Sequence, residues 1–213
     1  MKTILCYGDS ITWGTNAETG GRHAYENRWP NVLQKALGHT VDVITDGLRG
    51  RTTGFDEHMA ACDRNGVRIL PTTLYAHAPI DLVILMLGSN DMKPAIAGTA
   101  LAAMQGMRRL VEIVRTSPFR DGTEEPPAVL VVAPPPLCET AHPEFAAMFA
   151  GGVEQSKMIA SLYADLADEA GCGFFDAGSV ARTTPIDGVH LDAENTRAIG
   201  RGIEPIVRVM LGL

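Results

Sequence analysis

Five short apolar segments recur along the chain, separated by longer polar or amphipathic stretches, and each has the length of a β-strand. They cover residues 3–7, 41–45, 81–87, 128–133 and 174–175. Short apolar runs without alternation are typical of parallel strands that are buried on both faces. The third segment contains the run LVILML, which is apolar throughout, so we expect it to form the most buried strand.

Helical patterns lie between these segments. Apolar residues at 101, 104, 107, 110, 111 and 114 have the spacing of an amphipathic helix over 101–116. Further helices are predicted at 28–37, with Pro30 in the first turn and Gly38 at the end, and at 71–78. The remaining helices are predicted at 153–170, ended by Gly171, and at 193–211, interrupted near Pro205. Residues 142–152 fit either a short helix or an insertion.

Strands that alternate with helices predict a parallel sheet with right-handed crossovers. We therefore expect the α/β class, as a three-layer α/β/α sandwich formed by a single domain over residues 1–213. The connections around 54–79 and 134–152 are long enough to be insertions with a functional or interfacial role. Residues 117–127 are polar and contain Pro and Gly, so they predict a surface loop.

Composition narrows the classes of function. A net charge of −7 and a pI near 5.3 argue against a nucleic-acid partner, which requires clustered Lys and Arg. No apolar stretch is long enough to cross a bilayer, and no cleavable signal peptide precedes the first strand. The four cysteines form no C-x-x-C pair, so we expect reduced thiols, a cytoplasmic location and no metal site. Five histidines also lack the spacing of metal ligands: His23, His39, His58, His77 and His142.

The first strand is followed by Gly8-Asp9-Ser10, and the sequence Asp187-Gly188-Val189-His190 stands near the other end of the chain. Ligands of open α/β sheets bind outside the carboxyl ends of the strands, where Ser10 is expected. A serine becomes nucleophilic when a histidine accepts its proton and a carboxylate orients that histidine. Either segment alone is equally consistent with an ordinary turn, and Asp192 is a second carboxylate near His190.

The two segments resemble the first and last sequence blocks of GDSL-type hydrolases of the SGNH superfamily, with Ile11 in place of the family's Leu. The second block matches Asp46-Gly47-Leu48-Arg49-Gly50-Arg51-Thr52-Thr53, and the third matches Gly88-Ser89-Asn90-Asp91. The resemblance covers nearly the whole chain. It is strongest to small bacterial arylesterases that also act as acyltransferases, through segments such as Trp13-Gly14, Pro134-Pro135-Pro136-Leu137 and Phe175-Asp176-Ala177-Gly178-Ser179-Val180.

This resemblance implies a five-stranded, flavodoxin-like sheet of order 2-1-3-4-5 and catalysis without a cofactor. Ser10, Asp187 and His190 match the family's catalytic residues. The N–H groups of Ser10 and Gly50 and the side-chain amide of Asn90 match its oxyanion hole. Similar arylesterases are homo-oligomers, from dimers to octamers, so we expect a homo-oligomer here.

Substrate contacts are predicted at Ile11, Trp13, Lys93 and Phe149. Trp13 is equally suited to packing in the core or between subunits, and an exposed lysine is usually only solvated. Phe149 lies in an insertion with Phe145 and Met148, and Phe55 lies in the other insertion. These residues either cover the cleft or pack against a neighbouring subunit.

The expected function is that of a serine esterase acting on short-chain aryl and alkyl esters, with water or an alcohol as acyl acceptor. One alternative is a carbohydrate acetylesterase of the same superfamily. A second alternative is a non-catalytic α/β binding module in which Ser10 is only a turn residue.

Overall fold

The five apolar segments form one parallel sheet in the order β2-β1-β3-β4-β5, as the resemblance implied. The strands of the computed structural model, which describes residues 1–117 and 126–213, are β1 (Lys2–Gly8), β2 (Val41–Gly47), β3 (Leu82–Met86), β4 (Ala128–Ala133) and β5 (Gly173–Asp176). Every residue of β3 is buried, which confirms the expectation that the third apolar segment forms the most buried strand. Most of the predicted 117–127 loop, residues 118–125, lies outside the described residues.

Helices cover both faces of the sheet. They are α1 (Ser10–Trp13), α2 (Trp29–Leu37), α3 (Gly66–His77), α4 (Ala100–Arg115), α5 (Pro143–Met148), α6 (Gly152–Ser156), α7 (Ile159–Ala170) and α8 (Ala193–Leu211). Ile4 and Cys6 pack in the core with α2 and α8, whereas Leu5 and Tyr7 pack in the core with α3, α4 and α7. Successive residues of β1 therefore enter opposite cores, which explains why its buried part, from Ile4 to Tyr7, does not alternate between apolar and polar residues.

The register of the sheet brings three chain segments to one edge. Gly8, the last residue of β1, is paired with Gly47 at the end of β2 and with Met86 at the end of β3. A Cβ atom on Gly47 would lie 2.3 Å from the backbone nitrogen of Trp13. Glycine at position 47 therefore allows α1 to lie directly against the end of β2.

Three helix predictions differ from the structure: α3 starts earlier than predicted, α8 has the predicted bounds but no interruption, and the segment 153–170 is not one helix. Asn65 caps α3 by accepting the Arg68 N–H, so the helix starts at Gly66 and contains Pro71 in its interior. α8 is one helix through Pro205, because Ile199, Ile203 and Val207, on both sides of the proline, are buried in the same core.

The segment predicted as one helix over 153–170 is divided into α6 and α7. The Ser156 hydroxyl donates to the Val153 carbonyl at 2.7 Å and accepts the Leu137 N–H at 2.9 Å. These two bonds tie the end of α6 to the chain that follows β4, and α7 then starts at Ile159. The Ser156 side chain thus competes with the helix for backbone groups, which explains why α6 ends there. The spacing of hydrophobic residues over 153–170 does not reveal this end.

Candidate active site

Ser10 is held at the first turn of α1, directly after β1. Asp9 caps this turn, because its Oδ1 accepts the Ile11 N–H at 2.9 Å. A Cβ atom on Gly8 would lie 2.0 Å from Oγ1 of Thr12, so glycine is required for the tight approach of strand and helix. The turn thus presents the Ser10 hydroxyl at the carboxyl edge of the sheet.

His190 and Asp187 complete a linear arrangement with Ser10. His190 Nε2 lies 2.9 Å from Ser10 Oγ, although the two residues are 180 positions apart in sequence. His190 Nδ1 lies 2.7 Å from Asp187 Oδ2. The Oδ1 atom of Asp187 accepts the N–H groups of Val189 and His190, both at 2.9 Å. The carboxylate therefore fixes both the loop and the ring that it carries.

The pKa of Asp187 is lowered from its ordinary value. Partial burial acts to raise this pKa, but the bonds from the His190 ring, from the His190 N–H and from the Val189 N–H outweigh it. Asp192, the rival carboxylate, instead caps α8 by accepting the Asn195 N–H at 2.7 Å. Of these two carboxylates, Asp187 is the one that is bonded to the imidazole.

Ser10, Gly50 and Asn90 lie around the same cavity. Asn90 Nδ2 donates to the Arg51 carbonyl at 3.2 Å and lies 3.4 Å from Asp9 Oδ2, which fixes the orientation of the amide. Gly50 has φ of +82°, a conformation that suits glycine. No acceptor for the N–H of Ser10 or Gly50 is found among the described residues.

Arg51 and Asp91 bind the loops that carry these donors. Arg51 Nη1 donates to the Gly8 carbonyl at 3.0 Å and to the Asp46 carbonyl at 2.7 Å. Asp91 accepts the backbone N–H of Thr53 at 3.1 Å and also its hydroxyl. The loops after β1, β2 and β3 are therefore joined beneath the site by buried polar bonds.

Burial raises the pKa of Asp9 to about 6, an effect only partly offset by the bond from the Ile11 N–H. Burial also raises the pKa of Asp91 to about 6, partly offset by its bonds from Thr53. Both carboxylates lie within the part of the molecule that supports Ser10 and Asn90, so their ionisation is coupled to the stability of the site.

A cavity of about 420 Å³ opens in front of Ser10, and we call it the Ser10 cavity. Its polar lining consists of Ser10, Gly50, Asn90 and His190, and its cationic lining consists of Arg49, Arg64 and Lys93. Its apolar wall is formed by Phe145, Met148, Phe149 and Val189. The rings of Phe145 and Phe149 are stacked at 6.3 Å between centroids, and the Phe145 ring contacts the His190 ring edge-on at 6.1 Å.

Two of the four predicted substrate contacts line the Ser10 cavity, and the other two have different surroundings. Lys93 and Phe149 line the Ser10 cavity, whereas Ile11 and Trp13 do not. Ile11 is buried in the core with α2 and α8. The Trp13 ring lies between two guanidinium groups, 4.8 Å from that of Arg22 and 5.2 Å from that of Arg49. Trp13 therefore contacts the lining of the cavity through Arg49, and Ile11 belongs to the core.

Two further lining residues, Arg49 and Arg64, have no role in the sequence-based prediction. Arg49 directly precedes Gly50, so its position in the second block was a signal for a residue beside the site. Arg64 comes from the long connection before α3, and only the fold brings it over Gly50. No spacing rule connects residue 64 with residue 10.

Within residues 1–117 and 126–213, no group of three or more His, Cys, Asp or Glu side chains is placed to hold a metal ion. No helix in the same two ranges is long and apolar enough to span a membrane. Each of the four cysteines is a free thiol.

Comparison with known proteins gives a consistent family. The GDSL-like Lipase/Acylhydrolase family model matches residues 6–197. A carbohydrate acetylesterase family member from Sinorhizobium meliloti is 68% identical over 100% of both chains, with a TM-score of 0.98. The aryl esterase of M. smegmatis is 43% identical, covering 99% of this chain and 100% of that one, with a TM-score of 0.92.

A second carbohydrate acetylesterase from Sinorhizobium meliloti is 42% identical, covering 99% of this chain and 100% of its own, with a TM-score of 0.92. No curated protein sequence matches the chain significantly. Because the family model extends over most of the chain, this protein belongs to the GDSL-like lipase/acylhydrolase family of carboxylic ester hydrolases.

Proposed function

We propose that this protein is a serine esterase that cleaves short-chain esters through a covalent acyl-enzyme on Ser10. The observation that carries the proposal is the line of contacts from Ser10 Oγ to His190 Nε2, at 2.9 Å, and from His190 Nδ1 to Asp187 Oδ2, at 2.7 Å. A serine hydroxyl is a weak nucleophile until a base accepts its proton, and this geometry provides that base.

In the first step, Ser10 Oγ forms a bond to the carbonyl carbon of the ester while His190 Nε2 takes the hydroxyl proton. The carbon–oxygen bond to the alcohol part then breaks, and His190 returns the proton to the departing oxygen. In the second step, water or an added alcohol attacks the acyl-enzyme by the same route. The product is a carboxylic acid or a new ester, and Ser10 recovers its proton.

Asp187 selects the tautomer of His190 that carries its proton on Nδ1. A carboxylate only accepts hydrogen bonds, so the Nδ1 atom facing Asp187 carries the proton and Nε2 is left free to accept one from Ser10. Asp187 also stabilises the imidazolium that forms during each step. Its lowered pKa supports an ionised carboxylate at neutral pH.

The negative oxygen of the tetrahedral intermediate is assigned to the N–H groups of Ser10 and Gly50 and to Nδ2 of Asn90. Donors held in place before the reaction need no reorganisation as the charge develops, and each typically contributes about 3 kcal/mol to lowering the barrier. The bond from Asn90 to the Arg51 carbonyl supports this role, because it fixes the amide in advance.

The substrate contacts that we propose are Lys93 and Phe149, with Phe145 and Met148 from the same apolar wall. This wall stands beside His190, where the alcohol part of the ester departs, and it suits an aryl or alkyl group. Apolar walls also disfavour water relative to an apolar alcohol, so we propose acyl transfer to alcohols in addition to hydrolysis. Ile11 and Trp13 are assigned to packing.

A carbohydrate acetylester is the second candidate substrate, because a relative described as a carbohydrate acetylesterase family member is 68% identical over the full length. The chemistry on Ser10 is the same in both cases. The difference lies in the alcohol part, which is a sugar hydroxyl in one case and a phenol or simple alcohol in the other.

The test compares phenyl acetate with acetylated xylose, each with and without an added primary alcohol. We expect turnover of phenyl acetate and formation of the new ester when the alcohol is present. Ser10→Ala should abolish turnover, whereas Ser89→Ala should retain it, because the buried Ser89 hydroxyl has no hydrogen-bond partner within residues 1–117 and 126–213. Hydrolysis that survives in Ser10→Ala would contradict the proposal.

We also propose a cytoplasmic homo-oligomer. Free thiols at all four cysteines support a reducing compartment. Tyr25 and Val209 are 65% and 83% exposed, and such apolar side chains suit a contact between subunits. Light scattering at assay concentration tests the oligomer, and a monomer mass would contradict it.

A further inference from the structure

The Ser10 cavity carries a positive charge that the protein as a whole does not. Three of its lining residues, Arg49, Arg64 and Lys93, are cationic, whereas the formal net charge of the chain is −7. A cleft lined by one sign of charge raises the local concentration of ligands of the opposite sign.

One carboxylate compensates part of this charge. Glu57 Oε2 accepts from Arg64 Nη1 at 2.5 Å, and Glu57 Oε1 accepts from Lys93 Nζ at 3.4 Å. Burial opposes the ionisation of Glu57, but the Arg64 bond and the Lys93 charge outweigh it and hold the pKa of Glu57 below its ordinary value. One ionised carboxylate shared by two cations leaves one positive charge uncompensated.

Arg49 adds a second uncompensated charge. Its side chain makes no ion pair with a carboxylate in the described part of the chain, and its guanidinium lies 5.2 Å from the centroid of the Trp13 ring. This stacking leaves the N–H groups at the edge of the guanidinium available to a ligand. Of the other nearby carboxylates, Asp187 is bonded to His190. Asp9 accepts the Ile11 N–H, and the charges of Arg51 and Lys93 partly offset the effect of burial on its pKa.

Arg64 stands beside a proposed oxyanion donor. A Cβ atom on Gly50 would lie 2.7 Å from Cζ of Arg64, so the guanidinium occupies the space that the missing side chain leaves. The Nε atom of Arg64 is buried without a hydrogen-bond partner among the described residues. A cation is thus held next to the position where the ester carbonyl is proposed to bind.

We propose that the preferred esters of this enzyme carry a carboxylate, recognised by Arg49 together with Arg64 and Lys93 at the mouth of the Ser10 cavity. This inference rests on the proposed esterase function and specifies its substrate class. A guanidinium presents paired N–H donors that match the two oxygens of a carboxylate. The negative charge of the ester would therefore lie among these cations, of which Lys93 stands next to the apolar wall, with its Nζ 5.6 Å from the centroid of the Phe149 ring.

The test uses pairs of esters that differ only in charge. One pair is 4-acetoxybenzoate and its methyl ester, with the charge on the alcohol part. The other is monophenyl succinate and its methyl ester, with the charge on the acyl part and with spontaneous hydrolysis subtracted. We expect kcat/KM for the anionic member to exceed that of the neutral member by roughly tenfold in at least one pair, and this ratio to fall at high salt.

Variants of Arg49 identify the source of the preference. Arg49→Gln should lower the ratio of anionic to neutral kcat/KM about tenfold, whereas Arg49→Lys, which keeps the charge, should retain most of it. The exposed Arg108 on α4 pairs with Glu169 and serves as the control, since Arg108→Gln changes the net charge equally but leaves the ratio unchanged. Ratios at or below one in both pairs, or a preference unaffected by Arg49→Gln, would overturn the proposal.

Equilibrium binding separates this inference from the esterase function itself. In Ser10→Ala, calorimetry should give a lower Kd for 4-hydroxybenzoate than for its methyl ester, and Arg49→Gln in the same background should remove the difference. Failure of every ester to react would contradict the esterase proposal. Equal Kd values for the two phenols, together with ratios at or below one in both ester pairs, would instead contradict the recognition of the carboxylate while leaving the esterase function standing.

Discussion

The Oδ2 atom of Asp9, which is next to Ser10 in sequence, lies 3.4 Å from the Nδ2 atom of Asn90, while Oδ1 of the same carboxylate accepts the Ile11 N–H. One buried side chain thus joins the turn that carries Ser10 to the loop after β3. Ionising Asp9 in this position costs free energy, because the side chain is only 1% exposed and burial raises its pKa to about 6. The site is held together by a charge that the fold stabilises poorly.

Asp9→Asn is expected to change the pH dependence of stability. Between about pH 4 and 6 the folded protein keeps a proton on Asp9 that the unfolded chain has lost, so the free energy of unfolding falls as the pH rises through this window. The asparagine variant lacks this loss. Relative to wild type, it should gain up to about 3 kcal/mol in free energy of unfolding from pH 4 to pH 7.

Urea denaturation of both proteins at several pH values measures this difference. The Asp9 charge also helps to raise the pKa of Asp91, so Asp9→Asn reduces the Asp91 contribution to the same pH dependence in the same direction. A difference between variant and wild type that is constant from pH 4 to pH 7 would show that burial of Asp9 has no such cost.

Asp187→Asn is expected to keep the fold and lose most of the rate. The asparagine oxygen still accepts the N–H groups of Val189 and His190, but its amide group no longer selects the Nδ1–H tautomer of His190. We expect kcat on phenyl acetate to fall by roughly three to four orders of magnitude.

Asp192→Asn is the matched control for this change. Asparagine is a good helix cap, and Asp192 acts on α8 rather than on the imidazole. This variant should therefore keep nearly the full rate. Equal losses in the two variants would mean that Asp187 does not have a special role.

Gly47→Ala is expected to damage the site through the backbone. The added Cβ would lie 2.3 Å from the Trp13 nitrogen, and backbone atoms cannot move aside as a side-chain tip can. The turn carrying Ser10 must then shift away from β2, so both stability and kcat should fall, with a lowered Tm and at least a tenfold loss of rate.

Gly21→Ala is the control, because its nearest neighbour is the flexible, exposed hydroxyl of Thr19 at 3.3 Å. Thermal unfolding and phenyl acetate kinetics should leave this variant close to wild type. An unaltered Tm and rate in Gly47→Ala would be inconsistent with a close contact between α1 and β2.

The sequence predicted the contact between Ser10, His190 and Asp187 better than it predicted the residues around them. Ser10 follows a clear apolar strand, and His190 is the last residue of a D-x-x-H segment. The fold brings His190 Nε2 to 2.9 Å from Ser10 Oγ. Ile11 and Trp13 were assigned to the substrate because they are adjacent to Ser10 in sequence. In the structure, however, Ile11 is buried in the core with α2 and α8, and the Trp13 ring packs against Arg22 and Arg49.

The cationic part of the cavity and the helix interruptions depend on tertiary structure. Arg64 reaches Gly50 only because the connection before α3 returns to β2, which local pattern does not encode. Pro205 suggested a break in α8 by its local preference. Burial on both sides of the proline outweighs that preference and keeps the helix continuous.

The central claim is that Ser10 is acylated with His190 as its base, and trapping the intermediate tests this most directly. After mixing with 4-nitrophenyl acetate, rapid acid quenching and peptide mass spectrometry should locate one acetyl group on the peptide containing Ser10. His190→Gln should form this species at least a thousandfold more slowly, and Ser10→Ala should not form it. Acetylation of another residue at the wild-type rate, or a rate unaffected by His190→Gln, would contradict the account.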